Sequence, residues 1–370
     1  MRVRVPEILR DTLGRNPDYP VATKEALEQL AASIESDAPL PAPRPPAVDL
    51  GAWSQAHAAH DAESWLDAQW FHAELAVYRE VASCVRFWET GRDPFAPAKE
   101  EELRGDRLWE RLELALSARG SRPDRLALLL DACLWGNRVD LSYTVAVGLE
   151  RRDEDLLVDD RAPAAARLGE AARVEVIADN TGTELALDLA LVDAVLEAPG
   201  ARVTLHVKMQ PVFVSDALAV DVWRLLSAMD GRGGKAGALA ARLRLAFDAG
   251  RLRLSPDPFW SGPSFLWDAP DHVARALREA SIVVVKGDAN YRRVIGDAVW
   301  PDGAQLGDAA GYVGAPVLCV RTLKSDALVG LPAELAHGLD STDPRWRIDG
   351  RRGLIQLCGP FDTHPARDSS

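Results

Sequence analysis

The chain has 370 residues, is 47% hydrophobic and 27% charged, and carries a formal net charge of −13 with a pI near 5.1. The length allows two domains or one large one, and the composition is that of a soluble globular protein. A protein this acidic is a poor general binder of nucleic acid or anionic membrane, so an anionic small substrate needs a local basic pocket.

In chain order, residues up to about Glu35 predict two short helices around Asn16-Pro17-Asp18-Tyr19-Pro20. The start lacks the long apolar segment of a signal peptide. Prolines 39, 41, 43, 45 and 46 predict an extended strap over about 38–47. From Trp53 to Leu141 the three- and four-residue spacing predicts helices, so residues 1–150 are expected to form an all-helical domain. His57 and His60 lack the spacing and the Glu of a zinc protease.

From about Ala171 strands alternate with helices, which places an α/β domain over residues 151–370. The expected strands are Val174–Ala178, Val203–Val207, Ile282–Val285, Val317–Val320 and Leu354–Leu357. One helix is expected from Thr183 to Glu197, and another opening at Ser215-Asp216 and running through Leu226. The run Gly231–Gly237 lacks the Gly-Lys-Ser/Thr ending of a phosphate loop and follows a helix, so it reads as a flexible loop. Cys84, Cys133, Cys319 and Cys358 form no C-x-x-C pair, which predicts free thiols. No stretch is long and apolar enough to span a membrane, and a cytoplasmic location is expected.

The chemistry gathers at the ends of the β-branched runs, where ligands bind in open parallel sheets. Asp179-Asn180 follows the first expected strand and Asp216 follows the next. Adjacent strands bring those carboxylates close, and two acids with an amide need a cation to offset their repulsion. Lys286-Gly287-Asp288-Ala289-Asn290-Tyr291-Arg292 and Arg321-Thr322-Leu323-Lys324 follow two further strands. Their Lys and Arg suit phosphate oxygens. The chain has only six lysines, so those two at strand ends stand out.

Together with Trp88–Phe95, Leu134–Ser142 and Phe213–Asp216, these motifs resemble the metal-dependent damage-control phosphatases. That branch is also named acidic-residue or protein-glutamate methyltransferase. The resemblance runs from about Val5 to Phe361 and implies a helical N-terminal domain on a Rossmann-like three-layer α/β/α domain. It implies a divalent metal, Mn²⁺, Co²⁺, Ni²⁺ or Mg²⁺, on Asp179, Asn180 and Asp216. It implies sugar-phosphate substrates of the fructose-phosphate kind, bound by Asp288, Asn290, Tyr291, Arg292, Lys324 and Glu184. One departure is Thr181-Gly182-Thr183-Glu184, where relatives carry Ala-Gly-Phe-Glu, which bears on pocket shape.

The expected reaction is phosphate monoester hydrolysis. Asp179 and Lys324 are the catalytic candidates, and Arg292 or Arg321 assists Lys324 on the phosphoryl oxygens. Glu74, Tyr78, Asn137 and Asp140 of the helical domain are candidates to close the pocket. Methyl transfer from S-adenosylmethionine fits less well, because no Gly-rich loop follows a first strand. A non-catalytic sugar-phosphate sensor is the third reading. The expected partner is a small phosphorylated substrate, with neither nucleic acid nor membrane; the oligomeric state is left open.

Overall fold

The structure, a computed structural model, describes residues 1–136 and 155–359. Asn137 and Asp140 lie outside the described residues. Seven strands form one sheet: β1 (Leu156–Asp159), β2 (Arg173–Ile177), β3 (Arg202–Lys208), β4 (Leu252–Asp257), β5 (Ile282–Lys286), β6 (Val317–Thr322) and β7 (Gly353–Cys358). Their order is β1-β7-β6-β5-β2-β3-β4. All pairings are parallel except β6 with β7. The five expected strands are present, each within a residue or two of its expected ends. β1 and β4 were not anticipated: β1 is short, and the alternating polar residues and Pro256 of β4 blur a β pattern.

The β-branched runs alternate between two cores. Val174, Val176 and Val284 face one cluster with the helices Arg122–Trp135, Thr183–Leu196 and Gly234–Asp248. Ile177, Val283 and Val285 face the other, with the helices Asp271–Arg278 and Asp288–Ile295. Residues covered on both faces read as continuous apolar runs, which is why these strands are visible in the sequence. A third core joins Val5, Leu27, Trp53, Phe71 and Val81 of the N-terminal helices.

Two expectations change. Leu108, Trp109 and Leu112 of helix Asp106–Ala115, together with Leu126–Leu134, pack into the sheet's own core, not with the N-terminal helices. The Gly-rich run is no loop: Gly233 alone joins helix Ala219–Arg232 to helix Gly234–Asp248. The strap holds little regular structure beyond one bridge, Pro39 to Ser64. All four cysteines are free, and no helix among the described residues is long and apolar enough to cross a membrane.

The chain builds β2, β3 and β4 outward in one direction, then returns to lay β5 and β6 on the other side of β2. The switch point therefore falls between β2 and β5. In open α/β sheets the crevice beyond the carboxyl ends at such a point is where ligands bind.

Candidate metal and phosphate site

Register sets the first close approach. Ile177 pairs with Val285 and with His206, so Asp179 faces Gly287 on one side and Lys208 on the other. A Cβ on Gly287 would fall 2.0 Å from Asp179 Oδ2, and its φ of +82° is left-handed. Gly287 is thus fixed by two requirements, backbone conformation and room for the carboxylate.

Asp216 arrives by a loop, not by a helix. After β3 the chain turns through Phe213 and Val214, both left-handed at φ 51° and 68°. Ala217 N then donates to Asp179 O at 2.8 Å, and Thr181 N donates to Ser215 O at 2.7 Å. Asp216 sits in this bridge opposite Asn180. The helix expected to open at Asp216 starts at Ala219, with Asp221 accepting from Leu218 N at 3.0 Å. The two strand-end loops are therefore stitched together, and they bring Asp179, Asn180 and Asp216 side by side.

Asn180 is oriented by three groups. Its Nδ2 donates to Asp179 Oδ2 at 2.8 Å and to Glu184 Oε2 at 3.0 Å, and its Oδ1 accepts from Ser215 Oγ at 2.5 Å. Glu184, expected to touch substrate, is buried and also paired with Lys286 at 3.2 Å.

Four of the six lysines surround this point. Lys208 lies 3.4 Å from Asp216 Oδ2 and donates to Asn290 Oδ1 at 2.8 Å. Lys99 donates to the Asp216 carbonyl at 2.9 Å. Lys286 turns away, into Glu184 and Asp188, the latter at 2.9 Å, and donates to Cys133 O at 3.0 Å. Two carboxylates thus hold the ammonium that its strand-end position suggested for phosphate. Lys324 is exposed, has no side-chain ion pair or hydrogen bond among the described residues, and its charge acts on Asp179. Sequence reasoning missed Lys99, Lys208 and Ser215. Lys208 carries the same signal as Lys286, a rare lysine closing a β-branched strand.

The Asp288–Arg292 run faces inward more than expected. Asn290 Nδ2 donates to Ala178 O at 2.9 Å and Lys286 O at 2.8 Å, bracing the ends of β2 and β5. Tyr291 is fully buried beneath Arg321, whose guanidinium lies 4.3 Å from its ring centre. Arg292 pairs with Asp297 at 2.6 Å and with Glu74 at 2.7 Å. Arg321 donates to Asp288 Oδ1 at 2.7 Å, Ala327 O at 2.5 Å and Ser325 O at 2.9 Å. The donors of Arg292 and Arg321 expected to meet phosphate are thus occupied by protein oxygens. Asp288 is half-buried and also accepts from Lys324 N at 3.0 Å. Arg321 and Asp288 together set the backbone from which Lys324 projects. Glu74 does reach the site's edge, through Arg292, while Tyr78 packs against Phe213, with ring centres 5.3 Å apart.

Electrostatics single out the two aspartates. Burial first, then the charges of Asp216 and Glu184, pushes the Asp179 carboxyl well above the usual range. Burial pushes Asp216 up to about 6 against the opposing pull of Lys208 and Lys99. Asp216 Oδ2 is buried and, among the described residues, meets only the Lys208 ammonium at 3.4 Å, with no closer hydrogen bond. Burial lowers Lys208. Asp288 differs: burial raises it, but Arg321 and the Lys324 amide outweigh that and hold it below the ordinary value. Among the described residues no three His, Cys, Asp or Glu side chains gather as a metal cluster. The set here is two carboxylates and an amide. Hard oxygen donors gathered at one buried point fit a hard divalent cation.

Residues 3–338 match the family described as damage-control phosphatase ARMT1-like domain. The chain is 27% identical to damage-control phosphatase ARMT1 of Danio rerio, over 97% of this chain and 94% of that protein. It is 26% identical to damage-control phosphatase ARMT1 of Homo sapiens, over 97% and 95%. A crystal structure of a DUF89 family protein from Pyrococcus horikoshii superposes with a TM-score of 0.53, covering 96% of both chains at 13% identity, which bears on the fold.

Proposed function

The chain belongs to the damage-control phosphatase ARMT1-like domain family, and from that premise we propose that it hydrolyses small sugar phosphates, of the fructose-phosphate kind, with a divalent cation held by Asp179, Asn180 and Asp216. The observation that carries this reading is that the two stitched strand-end loops bring the buried Asp179 and Asp216 carboxylates and the Asn180 amide together. A cation such as Mn²⁺, Co²⁺, Ni²⁺ or Mg²⁺ supplies Lewis-acid polarisation of a phosphoryl oxygen at this point.

The chain's own residues do the rest. Lys324, exposed and unpaired among the described residues, offsets charge on the phosphoryl oxygens, and its backbone is held by Asp288. Glu184 and Ser215 orient the Asn180 amide. Lys208 moderates the charge of Asp216 from beneath. Asp288, left partly exposed, is the member of its run placed to meet sugar hydroxyls. The fold that accompanies this reading is a Rossmann-like α/β/α domain with a helical N-terminal domain. The alternation of the strands between two cores, and the separate N-terminal core, support it. Four free thiols fit a reducing compartment such as the cytoplasm.

The test is phosphate release from a panel of ketose and aldose phosphates by chelator-treated protein, with each cation added back. Activity should vanish with chelator, return with metal and be inhibited competitively by inorganic phosphate. Full turnover in excess chelator would overturn the metal assignment. Tight binding of S-adenosylmethionine without phosphate release would overturn the phosphatase.

A further inference from the structure

Two N-terminal motifs, Asn16–Pro20 and Trp88–Phe95, supply no group to the site, yet their polar contacts converge on it. Asn16 donates to Pro94 O at 2.9 Å and accepts from Arg92 at 3.0 Å, while Asp18 takes Arg92 at 2.8 and 2.7 Å. Phe95 N donates to Asp93 Oδ1 at 2.9 Å and aims that carboxylate. Asp93 Oδ2 stands 2.9 Å from Lys99 Nζ. Lys99, on helix Ala96–Arg104, then reaches Asp221 Oδ2 at 2.8 Å and the Asp216 carbonyl at 2.9 Å.

Three residues on, and so on the same helix face, Glu102 accepts from Thr183 N at 2.8 Å and Thr183 Oγ at 2.7 Å. The backbone at that contact is built around the carboxylate. A Cβ on Gly182 would lie 2.0 Å from Glu102 Oε2, and Gly182 has a φ of +69°. One helix thus grips both strand-end loops. Lys99 holds the loop of Asp216, and Glu102 holds the residue three beyond Asn180.

We propose that helix Ala96–Arg104 is a two-point clamp, with Lys99 and Glu102 as positioning residues that set the spacing between the Asp179-Asn180 loop and the Asp216 loop. The loops need such a hold. They meet through Thr181 N on Ser215 O, Ala217 N on Asp179 O and Ser215 Oγ on Asn180 Oδ1. The turn feeding them passes through two left-handed non-glycine residues, which persist only where the surroundings over-determine them. A relaxed clamp lets the two carboxylates separate and leaves Asn180 unaligned. The assignment of these loops as cation-binding rests on the function proposed above.

The experiment uses the full chain carrying Lys99→Met or Glu102→Gln, without metal or substrate, and reads amide hydrogen exchange by mass spectrometry. Peptides holding Thr181 and Ala217 should exchange at least about tenfold faster than in wild type, while β5 and helix Asp106–Ala115 stay unchanged. Added Mn²⁺, followed by electron paramagnetic resonance, should bind about ten- to a hundredfold more weakly, as for other residues that orient metal ligands. Unchanged exchange at both loops in a folded variant, or equal acceleration across the whole sheet, overturns the clamp. Should Lys99→Met not fold, Glu102→Gln decides alone. A wild type that neither binds Mn²⁺ nor releases phosphate defeats the proposed function, and the exchange comparison still decides the clamp.

Discussion

In the sheet, Asp179, Asp216 and Lys324 are placed by backbone. Each follows a strand whose register is locked by two buried faces, and each lies within a few residues of that strand's end or of a paired bridge. In the N-terminal layer, Lys99, Glu102 and Glu74 are placed by reach. They extend from helices outside the sheet and touch the site only with the ends of long side chains. The contrast separates two kinds of contribution. In the function proposed above, backbone-placed groups present themselves to a ligand, whereas groups placed by reach hold those groups still. Substitutions in the first set should therefore cost activity with little stability, and substitutions beneath them should cost both.

The sharpest test is Asp179→Ala. Phosphate release should fall by about a thousandfold or more, in the range seen when a preorganised charge partner is lost. The melting temperature should hold or rise, because a buried carboxylate repelled by Asp216 and Glu184 is gone. A large stability loss would break the distinction. Next is Gly287→Ala, a backbone change that touches no ligand directly. The added Cβ would collide with Asp179 Oδ2. The left-handed backbone adds about 1–3 kcal/mol of strain. A misplaced carboxylate should cost about a hundredfold in kcat/KM. Both are measured by denaturant unfolding and steady-state kinetics.

Lys324→Ala should also lower kcat/KM by about a hundredfold, yet change stability by less than about 0.5 kcal/mol as an exposed side chain. Its neighbour Arg321→Met should instead destabilise by about 3–5 kcal/mol, since Asp288 loses its buried partner. Equal effects from the two would erase the difference between presenting and supporting groups.

The smallest effect lies in the N-terminal layer. Burial, with the charges of His60 and His57, lowers His72 from 6.5 to about 4. His72 stacks on His60 at 4.0 Å and lies beside Trp53, while His60 pairs with Glu63. The unfolded chain binds the extra proton between these values, so this contribution is complete above about pH 6.5 and is lost as pH falls toward 4. His72→Phe should flatten the stability profile over that window without altering phosphate release at neutral pH.

What was legible in the sequence follows the same division. Val174–Ile177, Ile282–Val285 and Val317–Val320 announce themselves because both faces are covered, and the acids after them sit at fixed offsets. The approach of Asp216 to Asp179 is readable from adjacent strands, but not the bridge of Asp216 with Asn180, nor the loop through Ala217 that stands where a helix start is expected. For Arg292, Arg321 and Lys286 the sequence shows a cation at a strand end and not the carboxylate that pairs with it. Lys99 and Glu102 sit in Lys-Glu-Glu-Glu, which looks like any solvated helix. Only the scarcity of lysine marks Lys99, and a long side chain's partner more than a hundred residues away has no local signature.

That scarcity has a practical consequence. Lys99, Lys208 and Lys286 are buried, which leaves Lys24, Lys235 and Lys324 as the lysines that reach solvent, beside the terminal amine. An amine-directed acylating reagent meets almost no background on this surface. Mass-spectrometric footprinting should find Lys324 modified in the free protein and shielded when a phosphate ester occupies the crevice, with Lys235 as the internal reference. A single mass shift then becomes an occupancy gauge, and candidate metabolites can be ranked by protection without waiting for turnover.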